Sequence, residues 1–268
     1  MSRISQLFDR LRAEDRLGLF TYVTVGYPRI DSTPDIVAAL VDAGADLVEL
    51  GVPFSDPLAE GRTIQATTQR ALANGVTVAH CLDTARRCRE QTEVPMVFMG
   101  YLNPILAYGV DRFCADARAA GIDGLIIPDV SMEETSDLHR ACQEAGLDLV
   151  FFVAPTSTEA RMKTVARLAT GFIYCIAVTG VTGSRTEIAA DVDKLLAKIR
   201  ELTSTPLALG FGISRPEHLA QLKGKADAAI VGSALLDHVT EEDPAGSAAA
   251  FVRELLGTYS RGEEQLGN

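Results

Sequence analysis

Two glutamates, Glu49 and Glu60, have the placement in this chain that points most directly to chemistry. Glu49 lies near the end of the apolar run Leu47-Val48-Glu49-Leu50. Glu60 follows through Gly51, Pro53, Ser55, Asp56 and Pro57, a segment rich in turn-forming residues. A carboxylate at the end of a buried strand costs several kcal/mol if it stays ionised and unpaired. Such a group is either capped or salt-bridged, or its pKa is raised by burial and it serves as a general acid or base. The sequence leaves both readings of Glu49 open. Glu60 precedes a helical pattern and can reach back across the same loop. Asp56 suits a different duty, holding the turn through side-chain to backbone hydrogen bonds.

Three later segments carry glycine in a consistent way. They are Thr179-Gly180-Val181-Thr182-Gly183-Ser184, Gly210-Phe211-Gly212-Ile213-Ser214 and Val231-Gly232-Ser233-Ala234. Glycine lets backbone N–H groups approach an anion, and a helix N-terminus adds a favourable dipole. Each segment alone is a common turn or cap, but together and in register they point to a phosphate site. Tyr22, Asp129 and Tyr174 also fall at the ends of apolar runs. Tyr174 either donates a hydrogen bond or fills an interior, and Asp129 suits an orienting role over direct chemistry. No lysine ends an apolar run, so a Schiff-base mechanism has no obvious nucleophile. His80, His139, His218 and His238 all sit in helical patterns, which argues against a histidine metal site or a Ser-His-Asp triad.

These residues need a scaffold that brings strand ends together. Eight short apolar runs are strand candidates: Gly18–Val25, Asp46–Leu50, Pro95–Met99, Gly124–Ile127, Asp148–Val153, Phe172–Ala177, Leu207–Gly210 and Ala228–Val231. They mostly lack period-two alternation, as parallel strands buried on both faces do. Between them lie helical patterns at Thr33–Ala43, Gln65–Ala73, Thr77–Gln91, Val110–Ala120, Glu133–Ala145, Thr158–Leu168, Ala189–Leu202 and Pro216–Leu222. Ala234–His238 and Pro244–Thr258 follow the last strand. An internal echo supports the repeat: Ala43-Gly44-Ala45-Asp46, Ala120-Gly121-Ile122-Asp123 and Ala145-Gly146-Leu147-Asp148 each separate a helix pattern from a strand. Glycine there supplies the left-handed residue that stops a helix. The pattern predicts an α/β fold, a single (β/α)8 TIM barrel over residues 1–268, with an extra amphipathic helix at the N-terminus. A doubly wound open sheet is the runner-up. In such barrels the reacting groups stand where the strands end.

Composition narrows the partners. Of 268 residues 47% are hydrophobic and 23% charged, so a large core is easily filled. A net charge of −11 argues against nucleic acid, which would want a basic stripe. No apolar run approaches a membrane span, and the N-terminus does not read as a signal peptide. Five scattered cysteines without metal-type spacing read as reduced thiols in a cytoplasmic protein.

Taken together, the segments resemble one known family, the α subunit of tryptophan synthase. The resemblance rests on Glu49-Leu50-Gly51-Val52-Pro53-Phe54-Ser55-Asp56-Pro57-Leu58-Ala59, Tyr101-Leu102-Asn103-Pro104-Ile105 and Pro128-Asp129-Val130 with Glu133-Glu134. Gly180-Val181-Thr182-Gly183, Gly210-Phe211-Gly212-Ile213 and Gly232-Ser233 extend it over nearly the whole chain. It implies a lyase that splits indole-3-glycerol phosphate into indole and glyceraldehyde 3-phosphate. It further implies a β-subunit partner in an α2β2 heterotetramer, with pyridoxal phosphate held by that partner and no cofactor in this chain. Carried over by position, Glu49 and Glu60 would be the catalytic acids. Tyr22, Asp129, Tyr174, Thr182, Gly183, Gly212, Gly232 and Ser233 would bind substrate. The family's second acid is normally aspartate followed by Gly-Pro, whereas this chain has Glu60-Gly61-Arg62. Arg62 either pairs with Glu60 or stays solvated. That departure motivates an alternative, a weakly catalytic subunit that binds and activates the β partner. Another phosphosugar barrel, an epimerase or isomerase, would need strand-end metal ligands or a different acid pair.

Overall fold

All eight apolar runs form strands, and parallel pairing closes them in chain order into a barrel in which the last strand meets the first. The computed structural model describes residues 1–57, 60–130, 135–176, 185–210 and 212–266, the side chains of 185–190 and 258–266 excepted. The strands are β1 (Gly18–Thr24), β2 (Leu47–Gly51), β3 (Met96–Met99), β4 (Gly124–Ile126), β5 (Asp148–Val153), β6 (Ile173–Ile176), β7 (Leu207–Gly210) and β8 (Ala228–Val231). The helices are α1 (Arg3–Ala13), α2 (Thr33–Asp42), α3 (Arg62–Ala73), α4 (Val78–Arg89), α5 (Leu102–Tyr108) and α6 (Val110–Ala119). They continue as α7 (Thr135–Ala145), α8 (Glu159–Leu168), α9 (Arg185–Arg200), α10 (Pro216–Leu222), α11 (Ser233–His238) and α12 (Pro244–Leu266). Closure of the sheet rules out the open doubly wound alternative.

The missing alternation in the strands has a plain cause: both faces are buried, and each packs into its own core. Leu19, Val23, Val48, Leu50, Phe98 and Leu209 face outward toward Ile36, Val37 and Leu40 of α2 and the other helices. Phe20, Leu47, Val97, Ile126, Val150, Phe172 and Ala208 fill the barrel interior. Against that inner set lies one face of α1, with Ile4, Leu7, Phe8 and Leu11. Phe8, Phe20 and Phe172 form a ring cluster, with centroids 5.8 Å apart for the first pair and 5.4 Å for Phe20–Phe172. The extra N-terminal helix therefore stoppers the end of the barrel where the strands begin.

The same end carries the acids of the internal echo; Asp46 and Asp123 are paired with arginines, whereas Asp148 keeps one buried carboxylate oxygen without a hydrogen-bond partner among the described residues. Asp46 accepts two hydrogen bonds from the Arg16 guanidinium, both 2.8 Å, and a third from the Leu19 N–H. Asp123, wholly buried, accepts from Arg89 at 2.9 Å, Arg3 at 3.2 Å and the Met96 N–H at 3.0 Å. Before each of them a glycine with positive φ, Gly44 at 112° and Gly121 at 89°, ends the preceding helix. One motif thus stops a helix, starts a strand and ties the two to an arginine.

Several helix boundaries differ from the sequence pattern, among them that of α9, which runs Arg185–Arg200 rather than Ala189–Leu202. The helix after β2 begins at Arg62 rather than Gln65, because Gly61, in extended conformation, stands at its N-cap. The last helix runs to Leu266 rather than Thr258. A helix not foreseen, α5, begins directly after Tyr101.

Candidate active site

Register fixes the direction in which Glu49 points. Leu47, in the inner core, pairs with Phe20, and two residues on Glu49 pairs with Tyr22 of β1 and Val97 of β3. Residues two apart in a strand share a face, so Glu49 also projects into the barrel. It is fully buried, and neither carboxylate oxygen has a hydrogen-bond partner among the described residues. The capped or salt-bridged reading finds no support there. Loss of water, with a smaller contribution from the charge of Glu60, raises the Glu49 pKa to about 8.

Glu60 reaches the same space from the loop ahead of α3. Its N–H donates to the Pro57 carbonyl at 3.3 Å, and its own carbonyl accepts from the Gln65 side chain at 3.0 Å. The side chain is half-buried, and burial pushes its pKa up to about 7. Arg62 is exposed and makes no ion pair among the described residues, so it stays with solvent. Asp56 is exposed as well and accepts from the Ser55 hydroxyl at 2.5 Å.

A cavity of about 160 Å³ opens between these groups, where the strands end. Its lining brings together Tyr22, Glu49, Glu60, Tyr174, Gly212, Gly232 and Ser233, seven of the ten residues expected at the site. Ile64, Met99, Ile213 and Ile230 complete the wall with apolar surface. Thr182 and Gly183 lie outside the described residues. Asp129 stands apart from this lining: its carboxylate accepts from the Leu102 N–H at 2.9 Å and so holds the first turn of α5.

Both tyrosines are kept protonated. Burial, reinforced by the nearby glutamates, moves the Tyr22 and Tyr174 hydroxyls well above the usual phenol range, so each remains a donor. Each is seated against a glycine that the sequence pattern does not single out. A Cβ on Gly51 would collide with the Tyr22 hydroxyl, and one on Gly210 would stand 2.9 Å from that of Tyr174. Gly51 reads in sequence as a turn residue and Gly210 as part of an anion loop, because the tyrosine that each accommodates comes from a neighbouring strand.

The described lining contains no lysine or arginine. An anion at the glycine-rich rim would be held by main-chain N–H groups, for which Gly212, with φ at 71°, and the Gly232-Ser233 start of α11 are suited. Chemically, the cavity offers a neutral buried acid, a second acid that titrates near neutrality, two hydroxyl donors and an apolar wall. That set suits proton transfer to and from a flat apolar group attached to an anion.

Comparison with known proteins gives a consistent result. The family model described as Tryptophan synthase alpha chain matches residues 8–260. The tryptophan synthase alpha chain of Chloroflexus aurantiacus is 49% identical over 265 residues, covering 97% of this chain and 100% of that one. That of Roseiflexus castenholzii is 51% identical, covering 96% and 100%. Among solved structures, tryptophan synthase subunit alpha from Legionella pneumophila superposes with a TM-score of 0.89 at 35% identity, covering 97% and 99%. The aminoacrylate-bound form of tryptophan synthase from M. tuberculosis gives 0.86 at 34%, covering 95% and 98%.

Proposed function

The chain belongs to the tryptophan synthase alpha chain family, and on that premise we propose that Glu49 and Glu60 cleave indole-3-glycerol phosphate by a retro-aldol step. The observation that carries this reading is Glu49: wholly buried, unpartnered among the described residues, and in one cavity with a second acid. Indole is a poor leaving group until its C3 carbon is protonated. With a pKa near 8, Glu49 is protonated at neutral pH and can deliver that proton. The resulting carboxylate then takes the proton from the glyceryl hydroxyl as the C–C bond breaks, which yields the aldehyde and returns Glu49 to its starting state. Protonation at C3 leaves positive charge on the ring nitrogen, and Glu60 accepts the N–H and balances it. A pKa near 7 lets Glu60 become the anion that this duty requires.

Tyr22 and Tyr174 lie beside the reacting carbons. Gly212, Gly232 and Ser233, with Gly183, hold the phosphate, Thr182 binds the substrate, and Asp129 acts through its grip on α5. The partner is the β subunit in an α2β2 assembly, which carries the pyridoxal phosphate; this chain uses no cofactor. Among the described residues no helix is long and apolar enough to cross a membrane, and we place the chain in the cytoplasm.

The alternative, a subunit that only binds and activates its partner, drew on Glu60 in place of aspartate. Glu60 lines the same cavity as Glu49, which favours catalysis. The test is glyceraldehyde 3-phosphate formation from indole-3-glycerol phosphate, with and without a β subunit. Activity that rises with the partner is expected, and Glu49→Gln should lower it by roughly 10²–10⁴-fold while the fold survives. Equal rates in the variant would end the assignment of Glu49. No turnover in the native chain, with β activation intact, would favour the binding subunit.

A further inference from the structure

Away from the acids, two cysteines meet across a helix interface. The Sγ atoms of Cys114 on α6 and Cys142 on α7 are 4.0 Å apart, in van der Waals contact. Both side chains are buried, at 0% and 1% exposure. Cys142 nevertheless borders a second cavity of about 280 Å³, lined also by His139, Gln143, Asp148 and Thr170, at the end where the strands begin. A 2.9 Å ion pair between Arg140 and Asp111 bridges the same two helices. The sulfurs thus touch one another, and the void borders that contact on its Cys142 side. A disulfide of about 2.05 Å requires the sulfurs to approach by roughly 2 Å from their present contact.

We propose that Cys114 and Cys142 are a redox-modification site that forms a reversible internal disulfide with a small peroxide. Cys114, as the thiolate, attacks one oxygen of hydrogen peroxide; the O–O bond breaks, hydroxide leaves and Cys114 becomes a sulfenic acid. Cys142 then attacks that sulfur, the S–S bond forms and a second hydroxide leaves. The two thiol protons convert both hydroxides to water, so two electrons pass from the thiols to one peroxide. The contact between the sulfurs favours this order, because it lowers the pKa of Cys114 and raises that of Cys142. The other thiols lack such help: burial pushes Cys88 and Cys175 up to about 12 and Cys81 still higher.

The test treats the folded full chain with hydrogen peroxide, unfolds it in N-ethylmaleimide and maps the peptides by mass spectrometry. Two of the five thiols should escape alkylation. The peptide holding Cys114 should be joined to that holding Cys142, and dithiothreitol should restore all five. In Cys142→Ala, dimedone should label Cys114 with no internal link. Should that variant fail to fold, the native peptide map decides alone. Alkylation of all five thiols, a link through Cys81, Cys88 or Cys175, or sulfinic acid without a link would each overturn the proposal.

Discussion

Glu49 keeps its carboxyl where water does not reach, and this shapes stability as well as proton transfer. Its pKa is about 4.5 when the chain is unfolded and about 8 when folded, so between those values the native state binds more protons. Stability contributed by the neutral acid is therefore complete below about pH 4.5 and falls as pH rises toward 8. Glu60, raised to about 7, adds to the loss in the same direction. A tenfold change in proton affinity between the two states corresponds to about 1.4 kcal/mol, so the Glu49 contribution is on the order of a few kcal/mol. Urea unfolding at pH 5 and pH 8 should show the native chain weakening, with a clearly flatter response in Glu49→Gln; equal slopes would show that Glu49 does not titrate in this window. The acid was legible in sequence because a charge near the end of an apolar run is costly. The glycines beneath the tyrosines were not, since nothing local distinguishes a glycine that seats a side chain from one that makes a turn.

Elements follow the same division between local and distant causes. Apolar runs, three of them preceded by the positive-φ glycine stop of the internal echo, are local signals, and all eight strands appear where those runs stand. The short helix α5 carries little of its own: seven residues, a proline in its first turn and no side-chain cap from Tyr101. Its start is held by Asp129, whose carboxylate meets the Leu102 N–H from 27 positions along the chain. Asp129→Ala should therefore cost about 1 kcal/mol, the usual value of a lost helix cap. It should speed hydrogen exchange at Leu102 while amides in β2 remain protected. Unchanged exchange at Leu102 would mean that α5 begins without that bond.

At the scale of the whole molecule, the barrel has two unlike ends. Two acids at the strand starts, Asp46 and Asp123, meet arginines, whereas Glu49 and Glu60 at the strand ends make no ion pair among the described residues. Phe8 belongs to the first end, and Phe8→Ala should cost about 3–5 kcal/mol as a large aromatic lost from a packed core. Thermal melts should show the loss, while turnover per folded molecule at low temperature stays near native; a large fall in that turnover would contradict the separation of the two ends. Amphipathic patterning announced α1 as a helix, but its seat inside the barrel rim depends on Phe20 of β1 and on Phe172, just before β6, which are distant in sequence.

With α1 seated there, the barrel is closed where its strands begin, and the cavity beside Glu49 lies where they end. Whatever enters beside Glu49 does so without passing α1, and both products of one cleavage leave from the side away from that helix. A partner settled over that side would then decide which leaves first and where it goes.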